Sequence, residues 1–163
     1  MGEVGNGHAT FFAAVHLLVA DDAGRILFQR RQNSSSYNGW LGLPAGHVDA
    51  GEHPFEAMNR EGLEELGIDA GFSPGDEIAS ATHRFNDGCV YFDAYYRAGG
   101  ESFRYVENRE PNKCSGFEWL SPEEIPTRRD VIPYEADAIS RIFTGEHCFA
   151  QDLTDDYTAE PEI

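Results

Sequence analysis

Three glutamates, Glu61, Glu64 and Glu65, crowd into the stretch REGLEELG, Arg60 to Gly67, with no lysine to answer them. On a helix, residues three and four apart are neighbours, so these carboxylates share one face about a third of the circumference wide. Like charges at such spacings cost roughly 0.2–0.5 kcal/mol per pair in an isolated helix, so a cation from elsewhere must compensate them. Hard divalent ions such as Mg2+ take oxygen ligands and share them among carboxylates, water and substrate phosphates. The chemistry this patch could do is therefore phosphoryl transfer, in which bound Mg2+ neutralises diphosphate oxygens and acidifies a water that attacks phosphorus.

The composition narrows the partners. The chain has 163 residues and a net charge of −17, from 29 acidic and 12 basic residues, and Lys113 is its single lysine. A surface for DNA or RNA needs clustered positive charge, so nucleic acid polymers are excluded as partners. A small anionic ligand is not, because a few placed arginines or bound metal ions can receive it. Cys89, Cys114 and Cys148 are odd in number and widely spaced, which indicates neither a disulfide framework nor a zinc site and points to a reducing cytoplasm. No run approaches the roughly 20 apolar residues of a membrane span, so a soluble chain without a membrane partner is expected. The run ATFFAAVHLLVA contains His16 and lacks a basic segment before it, and reads as a buried strand rather than a secretion signal.

The length suits one domain, placed at residues 1–147, with the acidic residues 148–163 as a loose tail. TFFAAVHLLVA and RILFQRR flank the turn-forming DDAG and predict a hairpin. QNSSSYNG is loop, and WLGLPAG is a short apolar segment stopped by Pro44 and Gly46. From Pro54 the period changes: Phe55, Met58, Gly62 and Leu66 form the apolar stripe of a helix capped by Gly67. The glutamates lie off that stripe, facing away from the main core contact. Gly62 within it costs roughly 1 kcal/mol relative to alanine and predicts a closely packed neighbour. EIASATHRF and CVYFDAYYRA flank NDG as a second hairpin, FRYVE and SGFEWL read as strands, SPEEIP as a turn, and PYEADAISRIF as an amphipathic helix. This mixture of strands with one central and one late helix indicates an α+β or α/β sandwich.

Extended outward, the opening stretch becomes GHVDAGEHPFEAMNREGLEELGI, Gly46 to Ile68. It resembles the box of the Nudix (MutT-like) hydrolases, G-x5-E-x7-R-E-U-x-E-E-x-G-U with U a bulky apolar residue. Gly46, Glu52, Arg60, Glu61, Glu64, Glu65, Gly67 and Ile68 match, and the first U is Gly62 instead. WLGLPAGHV and FEWLSPEEIP resemble the strands that flank the box in the family. The resemblance implies an α/β/α sandwich with a mixed sheet, a box helix and a C-terminal helix. It also implies Mg2+ (or Mn2+) held by Glu64 and Glu65, with Glu61 sharing in metal binding or water activation and the Gly46 carbonyl as a further ligand. Arg60 and Glu52 become a pair that fixes the loop against the helix, a task suited to a bidentate contact. Glu110, in NREPNKC, lies where some family members place an additional catalytic glutamate; otherwise it is a surface acid.

Arg30 and Arg31 are either phosphate contacts or exposed strand arginines, and Tyr37 and Arg84 are candidates for base selection. His47 and His53 read as loop residues. A silent nucleotide-binding domain would carry degenerate glutamates, and these are intact. An isoprenoid diphosphate isomerase shares the fold, but an unbroken box favours hydrolysis. No proline of the ADP-ribose cleavers stands in THRFN, Thr82 to Asn86, and Phe85 only approximates the tyrosine of dinucleoside polyphosphate cleavers. By elimination the expected substrate is a nucleoside triphosphate, modified forms included, cleaved to monophosphate and pyrophosphate, with ADP-ribose and other nucleotide derivatives as alternatives. A second copy of the chain is a candidate partner.

Overall fold

In the computed structural model, residues 10–153 and 161 are described, apart from the side chains of residues 102 and 103. The apolar run predicted as a strand becomes β1 (Phe12–Val19), buried from Val15 onward. A strand apolar on both faces belongs inside a sheet that is covered on both sides. Accordingly β1 lies between β4 (Ala45–His47), antiparallel, and β6 (Val90–Ala98), parallel. The sheet continues through β5 (Ala79–Arg84) to β8 (Cys148–Asp152), giving the order β4-β1-β6-β5-β8. A second sheet has β2 (Ile26–Arg31) between β3 (Leu41–Gly42) and β7 (Cys114–Leu120).

The side chains of β1 alternate between two cores. Val15, Leu17 and Val19 pack with Met58 and Leu66 of the glutamate helix, and Leu18 packs with Ile139 of the late helix α2 (Pro133–Phe143). This is the mixed α+β arrangement expected, with a helix on each side.

Four expectations are revised. The DDAG hairpin opens after one antiparallel bridge, Ala20 to Ile26, and its strands enter different sheets. The turn itself forms, with Asp21 accepting the Ala23 and Arg25 amides, but β6 and β7 compete for the strand edges over longer runs. FRYVE is not a strand: Gly100–Tyr105 is a 3-10 turn. The tail assigned to 148–163 begins with β8, which pairs in parallel with β5 from Ser80–Cys148 to Arg84–Asp152. Phe149 and Gln151 alternate inward there, a period-two signal too short to stand out in an acidic segment. Beyond Leu153 only Pro161 is described, against Gly39.

The fourth revision concerns the glutamate helix. Pro54–Glu61 is α-helical (α1), but Gly62–Leu66 widens into a π turn ended by Gly67 at φ 73°. A Cβ on Gly62 would stand 3.2 Å from the Ile68 carbonyl and 3.8 Å from Leu17, so the close neighbour predicted from this glycine is present. Wide turns of this type are rare and recur at functional sites. Here the turn lies under Glu64 and Glu65.

Candidate active site

Arg60 organises the carboxylates. Its Nε and Nη2 each donate to Glu52 at 3.0 Å, the bidentate contact anticipated from the motif. Nη2 also donates to the His47 carbonyl at 3.0 Å, which ties the helix to the end of β4. The remaining nitrogen, Nη1, donates to Glu61 at 2.6 Å and lies 3.5 Å from Glu64. Part of the missing counter-charge is therefore internal. The contact with Glu52 raises the Arg60 guanidinium above its ordinary value, and Arg60 holds Glu52 below its own.

Glu61 leans against Gly46. A Cβ at Gly46 would fall 2.0 Å from the Glu61 carboxyl carbon, so any side chain there would displace the Glu61 carboxylate from its place beside β4. Burial pushes the Glu61 carboxyl up, with Glu64 and Glu110 adding to the shift against the opposing pull of Arg60. Glu65, expected to face away from the main core contact, is partly buried. Its Oε2 accepts from Gln29 Nε2 at 2.8 Å and from the Ala45 amide at 3.1 Å. Burial, then the charges of Glu61 and Glu110, push it up to about 8. Glu64 is the exposed member.

Glu110 joins this group through its loop. The Arg109 amide donates to the Glu65 carbonyl and the Glu107 amide to the Leu66 carbonyl, so the 107–110 segment is laced to the π turn. Lys113 Nζ donates to Glu110 at 2.8 Å, and the Glu65 and Glu61 charges also help to hold its ammonium above the ordinary range. Gln29 and Lys113 are site neighbours that the motif does not name. That the chain's single lysine follows a candidate glutamate by three residues was the one available signal for Lys113.

The four residues expected to contact substrate each have partners within the protein. Arg30 and Arg128 share Glu118 and Asp130 in a network, and Arg30 also donates to the Gly39 carbonyl. Arg31 donates to the Ser36 carbonyl and the Ser34 hydroxyl, bracing its own loop. Tyr37 is buried beside Trp40 and Tyr134. Arg84 lies on the outer face of β5 against Asp152. Neighbouring strand arginines point to opposite faces, and each of these arginines has a protein acceptor.

The Arg30 network carries a stability prediction. Hydrogen bonds from Arg128, and then Arg30, outweigh burial and lower Asp130 from 3.8 to about 2. A depressed carboxyl contributes stability above its unfolded value that is lost as pH falls through the folded one. Asp130→Asn should therefore cost about 2 kcal/mol at pH 7, with the difference from wild type closing between roughly pH 4 and pH 2. Urea unfolding at these values checks it.

A match to the NUDIX domain covers residues 10–141, most of the chain. The chain belongs to the Nudix family. Its similarity to the Shigella flexneri protein named uncharacterized Nudix hydrolase YfcD is 37% identity over 124 residues, covering 72% of this chain and 63% of the relative. The match thus spans under two thirds of that relative's length. A Halorhodospira halophila RNA pyrophosphohydrolase is 38% identical over 72 residues, covering 44% of this chain and 35% of that one. Among solved structures, the MutT protein of Methanosarcina mazei superposes with a TM-score of 0.70 at 22% identity, over 84% of this chain and 96% of that chain. At that identity the likeness shows the Nudix fold alone.

The donor set fits a hard divalent cation. Glu61, Glu64, Glu65 and the Gly46 carbonyl are all oxygen donors, and a carboxyl held up to about 8 by burial and like charge is one that a cation would return to its ionised form. Among the described residues no three His, Cys, Asp or Glu side chains converge into a ready-made cage. Mg2+ does not require one, since it keeps several waters and binds through one or two carboxylates plus substrate phosphates.

Proposed function

We propose that this Nudix domain hydrolyses the anhydride of a nucleoside diphosphate derivative, with a nucleoside triphosphate, modified forms included, as the favoured substrate. The supporting observation is the arrangement of Glu61, Glu64 and Glu65 beside Gly46, with Arg60 clamped to Glu52 behind them. Bound at these carboxylates, Mg2+ or Mn2+ supplies positive charge to phosphate oxygens and makes a water more acidic.

The chain's own contributions are positional and acid–base. Arg60 holds Glu61 and the end of β4 in one frame, and Gln29 and Ala45 fix the Glu65 carboxylate. Glu61, raised by its burial, takes the proton of the attacking water. A water oxygen then bonds to phosphorus, the anhydride P–O bond breaks, and monophosphate and pyrophosphate leave.

A panel of canonical and oxidised nucleoside triphosphates, ADP-ribose, dinucleoside polyphosphates and nucleotide sugars, compared by kcat/KM with Mg2+, tests this reading. The expected result is a triphosphate above all others. A dinucleotide or ADP-ribose well ahead would replace the substrate assignment, and binding of nucleotides with no cleavage of any would replace the hydrolase itself.

A further inference from the structure

Behind the active site, on the α2 side of the sheet, lies a buried charged cluster that the proposed chemistry does not use. His16 of β1 is 2% exposed, Asp93 of β6 0% and Glu135 of α2 2%. His16 Nε2 lies 3.2 Å from Asp93 Oδ1, and His16 Nδ1 lies 3.6 Å from Glu135 Oε1. His83 Nδ1 approaches the other Asp93 oxygen. Tyr95 stacks on His16 at 4.9 Å between ring centres, and Tyr134 meets it edge-on at 6.4 Å.

An imidazole with carboxylates on both nitrogens is satisfied only when both carry protons. Two buried carboxylates, in turn, are tolerated only beside a cation. These requirements agree on one state: His16 as an imidazolium between Asp93 and Glu135. Burial alone would lower His16, but Asp93 and then Glu135 outweigh it and raise it to about 10. Asp93 is correspondingly held below its usual range, against its own burial, by His16 and His83.

Glu135 also reaches the segment that leads into the active site. Its Oε2 accepts the Leu43 amide at 2.7 Å, a bond between residues 92 positions apart. Leu43 leads into Pro44, whose carbonyl accepts the Leu17 amide, then Ala45, whose amide holds Glu65, and Gly46, which receives Glu61. The backbone approaches α2 closely just upstream, where a Cβ on Gly42 would stand 2.9 Å from Ile132 and 3.5 Å from Glu135. The carboxylate of Glu135 is thus anchored at one end by a buried charge and at the other to the segment that presents the Ala45 amide and the Gly46 carbonyl.

We propose that Glu135 is a positioning residue for the metal-binding carboxylates, paired with a His16 imidazolium and fixing the Leu43–Gly46 backbone against which Glu61 and Glu65 are set. The proposal rests on the metal-site reading above and not on the choice of substrate. It predicts that removing the acceptor and removing only its charge have different consequences. In Glu135→Gln the amide oxygen still takes the Leu43 hydrogen bond; in Glu135→Ala nothing does.

Mn2+ alone, titrated into the full chain and followed by electron paramagnetic resonance, reads the effect without turnover. Loss of a direct outer partner of a metal ligand costs roughly 10–100-fold in affinity, and Glu135→Ala, which acts one step further out, should lose about ten-fold. Glu135→Gln should stay within about three-fold of wild type, because the bond that positions the segment survives. Both variants should melt lower than wild type, so melting alone does not separate positioning from simple packing. In wild type at pH 7.5, nitrogen NMR of the histidine rings should show both His16 nitrogens protonated.

A folded Glu135→Ala that binds Mn2+ as tightly as wild type overturns the proposal. So does a Glu135→Gln that loses as much affinity as the alanine variant, or a neutral His16 ring. Should the alanine variant fail to fold, the glutamine variant and the wild-type ring spectrum decide. Absence of nucleotide hydrolysis with these Mn2+ responses intact would remove the hydrolase reading and leave this one standing.

Discussion

Glu65→Gln is expected to lower kcat by about two to three orders of magnitude and at the same time to stabilise the metal-free protein. Both effects come from one charge. The Glu65 oxygen that meets Gln29 and Ala45 can be replaced by an amide oxygen, so the local hydrogen bonds survive. What disappears is a carboxylate forced up from 4.5 to about 8 by burial and by the charges of Glu61 and Glu110. A raised carboxyl contributes stability that is present below its unfolded value and is lost as pH rises through the folded one. Wild type in EDTA should therefore lose stability between about pH 4.5 and pH 8, and Glu65→Gln should lose less over the same window. Added Mg2+ should narrow the gap by binding wild type better, since a ligand that prefers the native state stabilises it. Steady-state turnover with Mg2+, and melting in EDTA at pH 6 and pH 8.5, check the two halves. A glutamine variant with near-normal turnover, or one that melts below wild type at pH 8.5 without metal, contradicts the assignment.

Arg60→Ala should produce the largest loss of stability among the motif residues. The guanidinium serves Glu52 bidentately, Glu61, the neighbourhood of Glu64 and the His47 carbonyl, with 28% of its side chain exposed. Breaking a fully buried pair costs about 3–5 kcal/mol, and partial exposure brings the expectation to about 2–3 kcal/mol. Arg60→Lys should recover only a minor part, because an ammonium is a point charge and cannot hold two parallel contacts while reaching a third carboxylate. Urea unfolding of the three proteins at pH 7 decides it. Equal stability of the lysine variant and wild type would mean that charge alone, without the planar fork, holds the box together.

The motif made most of the carboxylate site legible, because its residues lie within one loop and one helix whose spacing is local. Arg60 meets Glu52 as the resemblance to the family box implies, and Glu61 lies beside both Arg60 and Gly46. The glycine at 62 was readable as a point of close approach, but the π turn it begins was not, since the same apolar stripe suits either helix. The environment of Glu65 depends on Gln29 and Ala45, which reach it through the fold rather than along the chain. The same reason explains Arg30 and Arg31, whose acceptors Glu118, Asp130 and Ser36 no local pattern assigns. The longer strands were legible from apolar runs, β8 and the 3-10 turn in FRYVE were not, and neither was partnership: β1 and β2 share a turn, yet belong to different sheets.

The path of β1 also sets a sequence of events in time. Contacts between distant parts of a chain are slow to form, and a chain emerging from a ribosome cannot make them before both parts exist. β1 can meet β4 early, but His16 waits for Asp93, 77 positions on, and Leu43 waits for Glu135, 92 positions on. A nascent chain that has exposed the whole glutamate helix but not yet α2 would hold the metal ligands without the brace behind them. If Glu135 braces the site as proposed, its assembly waits for α2, and an unfinished chain is also an untuned one.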